Sequence, residues 1–248
     1  MLVHPVVIPG SGTRSWTVLG DDDVPVVPVD RFLAYLTDIG RSPNTVKAYA
    51  HDLKDYWSFI GFRSLDWHEA RLEDIGEFVV WLQLPPAGRS GEVAVLPSVT
   101  AEVSASTVNR KLAAVSAFYA HQARNGAGAG DLLAAWRAGG RGGWKPFLHH
   151  VSKGEPYRGR AIALKVPKKL PRILTVAETQ AILDACGRLR DRFFFALMHE
   201  TGCRAGEVLG LRHEDIAAAE QEITIVAREN ANGARAKSGG RTVPVGRS

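Results

Sequence analysis

Between Arg141 and Arg172 the chain carries Lys145, Lys153, Arg158, Arg160, Lys165, Lys168 and Lys169 against a single acid, Glu155. Glycine and proline recur throughout this stretch, so it should be an extended strap rather than a packed element. A strap of this kind divides the sequence into two regions that must each bury a core of their own. The organisation read from it is an N-terminal arm over residues 1–28, a helical domain over 29–138, the basic linker over 139–173 and a second domain over 174–248. With 248 residues the chain is long enough for two domains of ordinary size.

The first region has helical periodicity. Phe32, Leu33, Leu36 and Ile39 share one stripe, and Gly40 ends that helix. Ser42-Pro43 then supplies a cap and a first-turn proline for a longer helix through Val46, Tyr49, Leu53, Tyr56, Trp57 and Ile60. Asn44, Thr45, Lys47 and Lys54 fall on its other face, either solvated or turned toward a nucleic-acid backbone. Asp66–Leu84 reads as a third helix, through Leu72, Ile75, Phe78, Val79 and Leu82, closed by Pro85-Pro86. Ser106 opens a fourth through Val108, Leu112, Val115, Phe118 and Tyr119, with Asn109, Arg110 and Lys111 in its first turns. These segments make a bundle of four or five helices. Before them, Trp16-Thr17-Val18-Leu19 beside Asp21-Asp22-Asp23 reads as an arm or short hairpin.

In the second region Thr175 and Glu178 have the spacing of a capping box, and the helix they open closes at Gly187. Asp191–Glu200, with Phe193, Phe194, Phe195, Leu197 and Met198, is apolar enough to predict a buried helix. Glu222–Val226 alternates as a strand does, and Arg241–Val245 reads as its hairpin partner. The polar turn between them, Asn230 to Gly240, places Lys237 outward.

Net charge is +5, an excess that suits nucleic acid without requiring it. The longest apolar runs are too short to cross a bilayer and charge interrupts them. The opening Met1-Leu2-Val3-His4-Pro5 lacks the pattern of a secretory signal. Cys186 and Cys203 are the only cysteines, too few for a disulfide framework or a zinc cluster. The expectation is a reduced, cytoplasmic protein with no metal site and no membrane partner.

The chemistry concentrates in Thr201-Gly202-Cys203-Arg204-Ala205-Gly206-Glu207-Val208-Leu209-Gly210-Leu211-Arg212-His213-Glu214-Asp215-Ile216. A glycine releases one helix and an arginine stands at the mouth of the next. A planar fork of donors there suits a phosphate oxygen. An Arg204–Glu207 pair stitching two helices together is the structural alternative.

This stretch resembles the first-arginine motif of the tyrosine recombinases, the phage integrase family. Lys237, in Ala-Lys-Ser-Gly-Gly-Arg-Thr-Val-Pro, is similar in position to that family's hairpin lysine. The Ser42-Pro43-Asn44-Thr45-Val46-Lys47-Ala48-Tyr49 helix start resembles its core-binding domain. The resemblance covers roughly residues 30–126 and 172–247. It implies a mainly α fold, a SAM-like helical bundle followed by an incomplete α+β catalytic domain with a β-hairpin, and a clamp around double-stranded DNA. The implied chemistry is metal-free and cofactor-free strand exchange through a 3′-phosphotyrosyl link, which conserves bond energy. Arg204 would hold a non-bridging oxygen, Lys237 would act as general acid, and Glu207 would brace the arginine. Asn44, Thr45, Lys47, Asn109, Arg110, Lys111, Lys165, Lys168 and Lys169 would contact DNA, and other recombinase subunits would be further partners.

After the hairpin the family supplies a His-x-x-Arg pair, a further His or Trp and the nucleophilic tyrosine, and this sequence ends at Ser248 before them. His68-Glu69-Ala70-Arg71 and His121-Gln122-Ala123-Arg124 match the spacing but precede Arg204, as chance would allow. Of the tyrosines, Tyr35, Tyr49, Tyr56 and Tyr119 fall on apolar stripes and Tyr157 sits in the strap. The expectation is a recombinase fragment lacking its nucleophile and inactive alone. The alternative is an inactive DNA-binding relative that occupies recombination sites. A helix-turn-helix regulator has no use for the pairing of Arg204 with Lys237.

Overall fold

A computed structural model describes residues 1–8, 12–89, 103–126, 134–137, 157–167, 170–228, 230–237 and 239–246. The chain forms two compact units, Met1–Lys168 and Lys169–Ser248. The fold is mainly α, with small antiparallel sheets.

In the first unit a hairpin of β1 (Leu2–Val7) and β2 (Arg14–Leu19) runs in register from Leu2↔Leu19 to Val7↔Arg14. It is no free arm. Val18 is fully buried, and β2 packs on the first two helices. Helix α1 (Val27–Asp38) starts earlier than the apolar stripe alone indicates, because Pro28 is preset for a first turn. Helix α2 (Pro43–Arg63) begins where predicted, with Ser42 Oγ accepting from the Thr45 N–H at 3.2 Å. Helix α3 (Leu72–Gln83) starts later than predicted. Asp66 instead holds a turn, accepting from the His68 N–H at 2.9 Å. The Arg71 N–H donates to Asp74 at 2.7 Å and starts the helix there.

The short α4 (Pro86–Arg89) places the Arg89 guanidinium on the Leu82 and Leu84 carbonyls, both at 2.9 Å, which serves the open carbonyl end of α3. Helix α5 (Ala105–Arg124) is capped by Ser104 rather than opened by Ser106. The core lies between α2, α5 and α1, where Phe118 meets Phe32, Trp57 and Trp67 edge-on. Strands β3 (Ala134–Arg137) and β4 (Tyr157–Arg160) pair antiparallel, so part of the predicted strap is a ribbon. Its next residues pack against the helical core through Ile162 and Leu164.

The second unit contains α6 (Val176–Asp184), α7 (Leu189–Thr201), the single turn α8 (Ala205–Val208) and a 3-10 turn, His213–Asp215. A three-stranded antiparallel sheet follows, in the order β5 (Ile216–Ala217), β6 (Glu222–Ile225), β7 (Arg241–Pro244). The capping box at Thr175 and Glu178 is present, and β6 and β7 pair as the alternation predicts. Its core is small: Leu197, Cys203, Val208, Ile223 and Ile225. The predicted burial of α7 holds for Leu197 alone. Phe193 is 50% and Phe195 42% exposed. The helix is apolar around much of its circumference, while the small sheet and α8 cover one side of it.

Candidate active site

The turn from α7 into α8 is set by Gly202, whose φ of 63° is the left-handed conformation that ends α7 without the penalty a Cβ would bring. Cys203 is then buried, and Arg204 takes the extended N-cap position of α8. Its backbone N–H donates to Glu207 Oε2 at 2.9 Å and its Nη1 to Glu207 Oε1 at 3.2 Å. The Arg204–Glu207 pair considered from sequence therefore exists, but it does not bury the arginine. The Glu207 side chain is 1% exposed and that of Arg204 63% exposed.

Glu207 has a second cation. Arg241, the first residue of β7, donates through Nη1 to Oε1 at 3.0 Å and through Nη2 to Oε2 at 2.8 Å. This is a bidentate fork, the strongest geometry available to a carboxylate. The Arg241 hydrogen bonds, then the Arg204 N–H, hold the Glu207 carboxyl down to about 2 from an ordinary value of 4.5. It is ionised throughout the neutral range. Arg241 Nη2 also lies 3.9 Å from Cys203 Sγ. The sequence does not announce the contact, because alternation in a strand says nothing about a partner 34 positions away.

The loop bearing Lys237 is fastened to this turn. Asn232 Nδ2 donates to the Leu209 carbonyl at 3.0 Å, just beyond α8. A Cβ on Gly206 would stand 3.1 Å from the Arg235 carbonyl, and one on Gly210 2.9 Å from Asn230 Nδ2. A side chain at Gly206 would press on the loop backbone, and one at Gly210 would have to displace the Asn230 amide. Inside the loop, Asn230 Nδ2 donates to the Ala234 carbonyl and Asn232 Oδ1 accepts from the Ala234 N–H. Lys237, two residues after Arg235, is exposed. Below the turn, Asp215 is buried and accepts from the Arg212 N–H at 2.8 Å and from Arg228.

In the helical unit the proposed DNA contacts divide. Asn44 and Lys47 are exposed on α2, and Lys47 Nζ lies 4.6 Å from the Trp16 ring centroid. Thr45 is drawn into the cap, with its hydroxyl 2.8 Å from Ser42 Oγ. Arg110 is half exposed while its Nη1 donates to Asp52 at 2.5 Å. Asn109 and Lys111 face protein. The Asn109 side chain donates to the Leu164 carbonyl at 2.8 Å and accepts from its N–H at 2.9 Å. Lys111 is buried, with Nζ 2.5 Å from Asp55 and 3.3 Å from Asp52. A signal for this existed: Lys111 stands three residues from Val108 and four from Val115, on the apolar stripe. Lys165 is exposed, while Lys168 and Lys169 lie outside the described residues.

Both chance His-x-x-Arg matches belong to the helical unit. His68 pairs with Asp66, and the His121 ring lies against Phe32 and Tyr35, where burial lowers its pKa.

The model of the family described as "Phage integrase, N-terminal SAM-like domain" matches residues 29–126, and that of the "Phage integrase family" matches residues 167–248. The chain belongs to the phage integrase family. Transposase A from transposon Tn554 of Staphylococcus aureus is 38% identical over 204 residues, covering 82% of this chain and 55% of that protein. Tyrosine recombinase XerC of Roseiflexus castenholzii is 25% identical over 208 residues, 81% of this chain and 53% of its own length. Tyrosine recombinase XerD of Mycobacterium tuberculosis is 27% identical over 229 residues, 87% and 60% of the two chains. The integrase-family chain thus spans between 53% and 60% of the length of these relatives. A crystal structure of XerA recombinase aligns over 89% of this chain and 59% of that one, at 19% identity and a TM-score of 0.29, too low to bear on the fold.

Proposed function

We propose that this chain binds double-stranded DNA as part of a tyrosine recombinase, and that Arg204 holds a non-bridging oxygen of the phosphodiester at which a strand is cut and rejoined. The supporting observation is the Arg204 guanidinium itself, exposed to solvent and anchored on a buried, ionised carboxylate. A cation held in that way is aimed before the ligand arrives, so charge developing on the phosphorus oxygens is met without reorganisation. Lys237, on the loop fastened to the same turn, would protonate the leaving 5′ oxygen.

The attacking group is not among the tyrosines of the core. The Tyr56 and Tyr119 hydroxyls lie 2.7 Å apart, and Tyr119 also donates to the Trp67 carbonyl. Burial pushes both phenols up, Tyr119 to about 12. The unit from Lys169 to Ser248 contains no tyrosine. On this proposal residues 1–248 by themselves bind DNA without forming a covalent link.

The test is fluorescence anisotropy of a labelled duplex across a salt series, followed by a denaturing gel. The expected outcome is a log K that falls linearly with log salt, by about 0.9 per phosphate neutralised, with no adduct on the gel. Salt-independent binding contradicts the phosphate contacts. An adduct surviving denaturation contradicts the account of the tyrosines.

A further inference from the structure

We propose that Arg241 is the positioning residue that joins the Lys237 hairpin to the Arg204 turn, through Glu207, so that both cations face one phosphodiester. This rests on the phosphate-holding role proposed for Arg204. The two oxygens of Glu207 are each shared. Oε1 accepts from Arg204 Nη1 and Arg241 Nη1, and Oε2 accepts from the Arg204 N–H and Arg241 Nη2. One carboxylate thus stands between an outward cation, Arg204, 63% exposed, and a more enclosed one, Arg241, 37% exposed.

The asymmetry decides the roles. Arg241 spends its fork on Glu207, whereas Arg204 meets it with one side-chain nitrogen and keeps the rest of its donors facing solvent. Arg241 is also where β7 begins, opposite Ile225, four residues after Lys237. The loop between is pinned at Arg235 against Gly206. The lysine therefore lies between two anchor points on the α8 turn, one of close packing and one ionic. A lysine at position 241 could supply charge but not the fork. Arg241 thus acts through its neighbours and needs no contact with DNA.

A staple that merely stabilised the fold would lower stability and leave the contribution of Arg204 to binding unchanged. The experiment is a double-mutant cycle on duplex affinity with R204A, R241K and the R204A/R241K pair, each checked for folding by far-UV circular dichroism. R204A is expected to weaken binding roughly tenfold, the size of one charge-assisted hydrogen bond. R241K, which keeps the charge, is expected to weaken it by a similar factor, and the pair by less than the product of the two penalties. If the two penalties multiply, Arg241 does not position Arg204 and the inference is overturned. If R204A binds as the native chain does, the phosphate role of Arg204 itself fails. Should R241K not fold, the cycle is run in E207M/R241M, where apolar side chains replace the Glu207–Arg241 ion pair. There R204A is expected to cost nothing, and a retained tenfold loss would overturn the proposal.

Discussion

Asp52 in the helical unit and Glu207 in the second unit are both buried carboxylates gripped by two cations, yet their acidities move in opposite directions. Asp52 is raised above its usual 3.8, because burial outweighs Lys111 and Arg110. Glu207 is lowered, because the Arg241 fork and a backbone N–H outweigh burial. Asp52 sits in mid-helix, where the N–H groups around it are committed to the helix, and each cation meets it through one nitrogen. Glu207 is at the third position of a helical turn, where the Arg204 N–H is still open to a side chain. Ion pairs with the same number of partners therefore serve different ends. One is a tolerated polar seam between α2 and α5, and the other is a built anchor for an exposed arginine.

The largest expected effect that could break this contrast is on stability. E207Q should destabilise the second unit by about 2 kcal/mol, since it weakens the charge-assisted bonds from the Arg241 fork and the Arg204 N–H. D52N should cost the helical unit less than about 1 kcal/mol, because there the ionised form is already disfavoured. The two units can be read separately. All six tryptophans precede Lys169, so their fluorescence follows the helical unit, while amide exchange on β6 and β7 follows the other. Equal costs for the two substitutions would remove the distinction.

The pH dependence sharpens it. The contribution of Glu207 is fully present above its ordinary value of 4.5 and is lost as pH falls toward about 2. Asp52 has the reverse sign: its folded pKa is raised, so its ionised form costs stability at neutral pH and that cost is relieved as pH falls through the raised value. Denaturant melts of native, E207Q and D52N chains between neutral and acid pH should show E207Q flattening the acid loss of the second unit. D52N should remove a stabilisation that the helical unit gains on acidification.

Smaller effects test which polar contacts of the helical unit are internal. N109A should release the Leu164 backbone at a cost of about 1 kcal/mol, seen as faster exchange of the Leu164 amide. Lys47, held by an aromatic ring, should matter least to the fold: K47A is expected to cost about 0.5 kcal/mol. It should also lower the salt slope of DNA binding by about 0.9.

How much of this was readable in advance follows the range of the interactions. The caps at Ser42 and Thr175 and the glycine release at Gly202 obey rules spanning a few residues, and the structure has them where the sequence indicates. The β6–β7 pairing was readable because each strand alternates on its own. The Arg204–Glu207 contact was readable because it is one turn long. The fork from Arg241, the Asn109 clip on Leu164 and the pairing of Lys111 with Asp55 join positions dozens of residues apart, and local patterns leave such partners unspecified. Gly206 and Gly210 stood in view, but the loop that presses on them became evident only in three dimensions.

The central claim is that the Arg204 guanidinium is free to take a phosphate while Glu207 keeps Arg241 behind it. The most direct measurement is a side-chain 15Nε spectrum of the arginines during titration with duplex DNA. The account predicts that the Arg204 resonance shifts in step with binding while that of Arg241 stays in place. DNA that binds and leaves Arg204 unmoved, or shifts Arg241 in its stead, would contradict it.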